Sequence, residues 1–177
     1  MSRRFRPAGQ GPPVLVLHGP NLGALGRRDP AHYGSEDLDG IMARLEKLAG
    51  ALGVTVEGLQ SDHEGELVAE LLAARGRGVA AAVLNPGALA HTSYALRDAV
   101  EAAGIPVVEV HLSNVHARER WRHRLAVAPA AAGVVAGFGP ASYELGLRAA
   151  TALIRSSGGA NSAPPDPPGG LGPGTRR

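Results

Sequence analysis

Between positions 13 and 138 the chain alternates short β-branched or leucine-rich runs with longer amphipathic ones, and this alternation narrows the fold more than any other property of the sequence. The runs PVLVLH (13–18), VTVEGL (54–59), VAAAVL (79–84), PVVEVHL (106–112) and GVVAGF (133–138) are predicted strands. Helices are predicted over 36–51, 64–75, 92–103 and 140–156. The first carries a 3.6-residue stripe of Leu38, Ile41, Met42, Leu45 and Leu48. Ser35 and Thr92 stand where N-caps belong, and Gly53, Gly76 and Gly104 follow the helix ends. Strands that are apolar on both faces and separated by helices form a parallel sheet covered on both sides, because parallel neighbours need right-handed crossovers. The expected fold is α/β: a flavodoxin-like three-layer sandwich with a five-stranded parallel sheet in the order 2-1-3-4-5.

The ends read differently. From Gly158 onward, 11 of 20 residues are glycine or proline, too few apolar groups to offset the entropy of ordering. The sequence therefore predicts disordered tails at 1–10 and 158–177 around one α/β domain at 11–157. The pI of 9.5 suggests nucleic acid, but five of the 18 basic residues lie in those tails. The 13 that remain between positions 11 and 157 face 15 carboxylates, a formal charge of −2, so nucleic-acid binding is not expected. No apolar run reaches the roughly 18–20 residues of a membrane span, the N-terminus lacks a signal-peptide apolar region, and cysteine is absent. A cytoplasmic location and no membrane partner are expected, and thiolate metal sites, disulfides and a cysteine nucleophile are excluded.

In an open parallel sheet, ligands bind beyond the carboxyl ends of the strands near the point where the strand order reverses. Polar groups follow or close the predicted strands there: the stretch 19–34 after strand 1, NPGALAHTS from Asn85 through His91, Glu109 and His111 closing strand 4, and SNVHAR from Ser113 to Arg118. The first of these, GPNLGALGRRDPAHYG, admits a phosphate cradle, a plain surface loop or a catalytic flap. A cradle needs a helix N-terminus at once, whereas Arg27, Arg28, Asp29, Pro30 and Tyr33 intervene before the next helix. Tyr33 is either a packing residue or a base, and a phenol of pKa about 10 becomes a usable base only beside positive charge such as Arg28 or Arg118. Glu109 and His111, two apart, point to one face of a strand, so the carboxylate can hold the imidazole as a general acid; a structural strand-end pair is the plainer reading. A metal set of Glu109, His111 and His116 lacks HExxH and thiolate support. Asn21, Asn85 and His91 also fit simple turns, and Arg122 can share a basic face with Arg118. Lys47 is the only lysine and lies inside a helix, which argues against a Schiff base, and there is no GxSxG.

Taken in order, GPNLGALGRRDPAHYG, QSDHEGELV, LNPGALAHTS and EVHLSNVHARE resemble the type II 3-dehydroquinate dehydratases over residues 13–155. The resemblance implies anti elimination of water from 3-dehydroquinate through an enolate to 3-dehydroshikimate, a step of the shikimate pathway, with no cofactor and no metal. It implies that Tyr33 is the base, assisted by Arg28 and Arg118; that His111 is the acid, oriented by Glu109; and that Asn21 stabilises the enolate through a held water. It further implies that Asn85, His91 and Arg122 read the ring hydroxyls and that Leu112 and Ser113 hold the carboxylate. Asp98 would come from an adjacent subunit of trimers assembled into a dodecamer. His18 and Trp121 depart from the family pattern, where asparagine and phenylalanine are common. The alternative from another class is a binding module that retains the pocket without the reaction.

Overall fold

The computed structural model describes residues 2–8, 10–26 and 36–159. In chain order its elements are β1 (Arg3–Ala8), β2 (Pro13–His18), α1 (Leu38–Leu52), β3 (Thr55–Gln60), α2 (Glu64–Ala74), β4 (Ala81–Asn85), α3 (Tyr94–Ala102), β5 (Val107–His111), β6 (Gly133–Ala136) and α4 (Ala141–Gly159). The sheet order is β1-β3-β2-β4-β5-β6. Strands β2 to β6 are parallel, and numbered among themselves they follow the predicted 2-1-3-4-5. Period-2 alternation sorts their side chains between two cores. Val14, Val16, Val83 and Val110 pack toward α1 and α4, while Leu15, Leu17, Leu84 and Val107 pack toward α2 and α3. Among the described residues no helix is long and apolar enough to cross a membrane.

The sixth strand is a correction. Residues 3–8, expected as part of a disordered tail, pair antiparallel with β3 at the sheet edge. Their register shifts between Phe5 and Ala8, the span containing Pro7, and an irregular edge is where a residue without an N–H is tolerated in a sheet. Phe5 packs against the α1/α4 core, and Arg3 and Arg4 pair with Asp39 and Glu70. At the other end α4 runs through Gly159, two residues into the expected disordered tail; the rest of that tail lies outside the described residues.

The caps shift by one or two residues. The expectation for Ser35 falls outside the described residues, and α1 is capped by Asp37, whose carboxylate accepts from the Gly40 N–H at 2.9 Å. Ser93, not Thr92, caps α3 by accepting from the Leu96 N–H at 2.8 Å. Gly76 lies within a 3₁₀ turn that extends α2, and Gly78 takes the left-handed conformation expected of the residue after a helix. Gly53 and Gly104 do end their helices with positive φ.

Candidate active site

The crossover after β2 leads to α1 on one face of the sheet and that after β4 leads to α3 on the other, so a crevice opens between the carboxyl ends of these neighbours. The two loops leaving it touch. The Gly19 N–H donates to the Asn85 carbonyl at 2.8 Å, and a Cβ on Gly19 would stand 2.5 Å from the Pro86 carbonyl oxygen. Gly87, at φ +58°, makes the reciprocal approach to the Pro20 carbonyl. Only a residue without Cβ allows this contact, and Pro20, Asn85 and Gly87 from the two loops line a cavity of about 150 Å³.

Of the residues singled out from the sequence, Asn21, Asn85, His91, His111, Leu112, Ser113, Arg118 and Arg122 line this cavity. Glu109 is fully buried behind it. Asp98 does not line it: it is exposed on α3. Arg28 and Tyr33 lie outside the described residues. The chain nevertheless leaves and returns at adjacent points, because a Cβ on Gly26 would stand 3.1 Å from the Asp37 Cβ.

β5 supplies the acid–base pair. His111 Nε2 lies 2.6 Å from Glu109 Oε1, and both side chains are almost wholly buried. With Nε2–H donated to the carboxylate, Nδ1 is the ring atom available to the cavity. The second carboxylate oxygen, Oε2, has no hydrogen-bond partner among the described residues, so the hydrogen bond to the imidazole is the one that carboxylate makes there. His116, offered from sequence as a third ligand of a metal set, packs instead against His123 with ring centroids 5.5 Å apart.

The chain beyond β5 brings in the cations. Two 3₁₀ turns, Val115–Ala117 and Arg120–His123, place Arg118 between them and Arg122 in the second. Arg118 donates to Ser113 Oγ at 3.3 Å, and Glu119 lies within 3.3 Å of the Arg118 Nε and 2.8 Å of the Arg122 Nε. One exposed carboxylate thus spaces both guanidinium groups. Its own backbone N–H and then Arg122 hold the Glu119 carboxyl below the usual range. Opposite them, His91 Nδ1 bonds the Arg124 carbonyl at 2.9 Å, and burial, foremost, lowers its pKa below that of free histidine. A neutral His91 that donates through Nδ1 offers Nε2 as an acceptor. Its ring is nearly parallel to that of His111, at 6.5 Å and 19°.

The amides are pinned by residues to which the sequence assigned no role. Asn21 is the only non-glycine residue with positive φ among the described residues, at 67°. Its N–H donates to Asp62 Oδ1 at 2.8 Å, and Gln60 Nε2 donates to the same oxygen at 3.1 Å. Asn85 Oδ1 accepts from the Gly87 N–H at 3.2 Å, and the Asn85 side chain also meets the Tyr143 hydroxyl. That hydroxyl lies 2.7 Å from His18 Nδ1 in the core. Burial holds the His18 imidazole down to about 3 and pushes the Tyr143 phenol up, so both are neutral. His18 is therefore a buried polar partner behind Asn85. Its signal was the departure from asparagine, and that of Asp62 was its place in QSDHEGELV; Tyr143, an isolated tyrosine inside α4, gave none.

The chain is also similar to known proteins over most of its length. Residues 12–151 match the family model for dehydroquinase class II. A 3-dehydroquinate dehydratase of Desulforudis audaxviator (strain MP104C) is 57% identical over 141 residues, 80% of this chain and 93% of the relative. One from Pelotomaculum thermopropionicum (strain DSM 13744 / JCM 10971 / SI) is 53% identical over 140 residues, 79% of this chain and 96% of the relative. The crystal structure of type II dehydroquinase from Propionibacterium acnes superposes with a TM-score of 0.77 at 38% identity, covering 82% of this chain and 99% of that one. On the sheet order, the cavity at its switch point and these matches, the chain belongs to the class II dehydroquinase family.

Proposed function

We propose that this chain is a 3-dehydroquinate dehydratase that removes water from 3-dehydroquinate by anti elimination through an enolate, giving 3-dehydroshikimate. The observation that carries the reading is the buried Glu109–His111 pair set into a cavity flanked by Arg118 and Arg122 at the switch point of the sheet. In this mechanism Tyr33, as phenolate, takes the C2 proton, and the electron pair passes onto the C3 oxygen. A phenolate near neutrality needs neighbouring positive charge, which Arg28 and Arg118 supply. Asn21 holds a water on the developing oxyanion, and its backbone is fixed for that task by Asp62. The enolate then collapses with loss of the C1 hydroxyl, which leaves as water with a proton from doubly protonated His111. Glu109 stabilises that imidazolium and fixes its ring.

Binding falls to the rest of the cavity. Asn85, neutral His91 and Arg122 read the ring hydroxyls, and Leu112 and Ser113 hold the substrate carboxylate. Asp98, exposed on α3, acts in the cavity of a neighbouring subunit within trimers that assemble into a dodecamer, and the enzyme works in the cytoplasm. The chain needs no cofactor or metal for this elimination.

The test is direct. Purified protein mixed with 3-dehydroquinate produces a rising ultraviolet absorbance in the conjugated-enone band. The Tyr33→Phe variant, lacking the proton-accepting oxygen, turns over about 10²- to 10⁴-fold more slowly. No absorbance rise with the parent protein rejects the reading, and near-normal turnover by Tyr33→Phe removes that residue from the base role.

A further inference from the structure

Trp121 is the only tryptophan in the chain, and about half of it, 53%, is exposed. It does not line the cavity, yet its ring contacts two groups that do. The Arg122 guanidinium carbon lies 4.0 Å from the indole centroid, a cation–π stack. The His91 ring meets the same indole edge-on, with centroids 5.1 Å apart and planes at 85°. These partners come from separate stretches, His91 from the turn after β4 and Arg122 from the second turn after β5. Hydrogen bonds hold each through a single atom, His91 by Nδ1 to the Arg124 carbonyl and Arg122 by Nε to Glu119, and the His91 ring also lies nearly parallel to that of His111 at 6.5 Å. A one-atom tether fixes position but leaves rotation; the indole removes that freedom for Arg122, and for His91 it adds an edge-on wall to the His111 stack.

We propose that Trp121 is a positioning residue that sets the separation and ring planes of Arg122 and His91, and thereby governs affinity for the hydroxylated ring of the ligand. The ligand class rests on the dehydratase reading; the brace itself does not. Trp121 touches neither Glu109 nor His111 and reaches His111 only through the His91 ring, whereas it meets Arg122 and His91 directly, so its main effect falls on binding rather than on the proton-transfer step. An aromatic face is what the arginine requires, so phenylalanine replaces it and an aliphatic side chain does not.

Calorimetric titration of the full chain with 3-dehydroshikimate reads this without turnover. Trp121→Leu is expected to weaken binding about three- to tenfold, the range of a partly exposed cation–π contact, and Trp121→Phe to stay within about twofold of the parent. In parallel kinetics with 3-dehydroquinate, Trp121→Leu raises KM by a similar factor while kcat stays within about twofold. Equal affinity of the leucine and phenylalanine variants overturns the proposal, since filling space would then suffice. A fall in kcat with KM unchanged, or failure of the parent to bind 3-dehydroshikimate, overturns it as well. Absence of turnover by a parent protein that still shows the leucine–phenylalanine difference in affinity counts against the dehydratase reading alone and supports the brace.

Discussion

A histidine with no exposed surface, bonded to a tyrosine and with its second nitrogen unpaired among the described residues, has a thermodynamic signature of its own. Burial lowers the His18 pKa to about 3, whereas in the unfolded chain it titrates near the ordinary histidine value of about 6.5. Below that value the unfolded state binds a proton that the folded state refuses, so stability is full above about pH 6.5 and declines as pH falls toward the folded value. The decline approaches about 1.4 kcal/mol per pH unit, and between pH 7 and pH 5 it amounts to about 2 kcal/mol. A His18→Asn variant keeps a polar partner for Tyr143 but has no proton to take up. Urea unfolding at the two pH values should show the parent losing about 2 kcal/mol more than the variant. Equal losses would mean that His18 is not held neutral by the fold.

At the scale of elements, the parallel strands and their helices were legible because each carries its own periodicity: Leu38, Ile41, Met42 and Leu45 are buried, as the stripe in α1 requires. β1 was not legible. The segment RRFRPA has a single large apolar side chain and a proline, and what makes it a strand is the open edge of β3, fifty residues away in the chain. The site divides in the same way. Strand ends and spacing marked His111, Glu109 and the arginines as candidates and the family resemblance supplied their roles, whereas Asp62, Tyr143 and Trp121 act through contacts between elements that no local pattern encodes. The edge strand also permits a magnitude test. The Arg3–Asp39 pair is more than half exposed on both sides and contributes little, and Glu70 keeps Arg77 when Arg4 is removed. Half-buried Phe5 is then the main loss, about 1–2 kcal/mol. Deleting residues 1–8 should lower stability by about 2 kcal/mol, read as a shift of the urea midpoint. kcat should hold, since no residue of β1 lines the cavity. A collapse of kcat would show that the strand also shapes the site.

At the scale of the whole molecule, two surface features bear on the proposed assembly. Among the described residues β6 has an unpaired edge and exposes Val134, and beside it Val135, Ala149 and Leu153 line an apolar groove against α4. Sheet edges and grooves of this kind are covered in stable assemblies. Asp98 is exposed on α3 and does not line its own chain's cavity among the described residues, and the function proposed above assigns it to a neighbour's cavity. That assignment has a consequence that single variants cannot imitate. Asp98→Ala removes the group donated outward, His111→Ala removes one used within its own chain, and each homogeneous assembly is expected to lose most of its turnover. When the two variants are mixed under conditions that exchange subunits, a cavity works if its own chain carries His111 and its donor carries Asp98. In cyclic assemblies formed at random from equal amounts, about one cavity in four meets both conditions, so activity should recover to about a quarter of the parent value. Hybrid oligomers identified by native mass spectrometry that remain as inactive as their parents would place Asp98 in the service of its own chain or outside the reaction altogether.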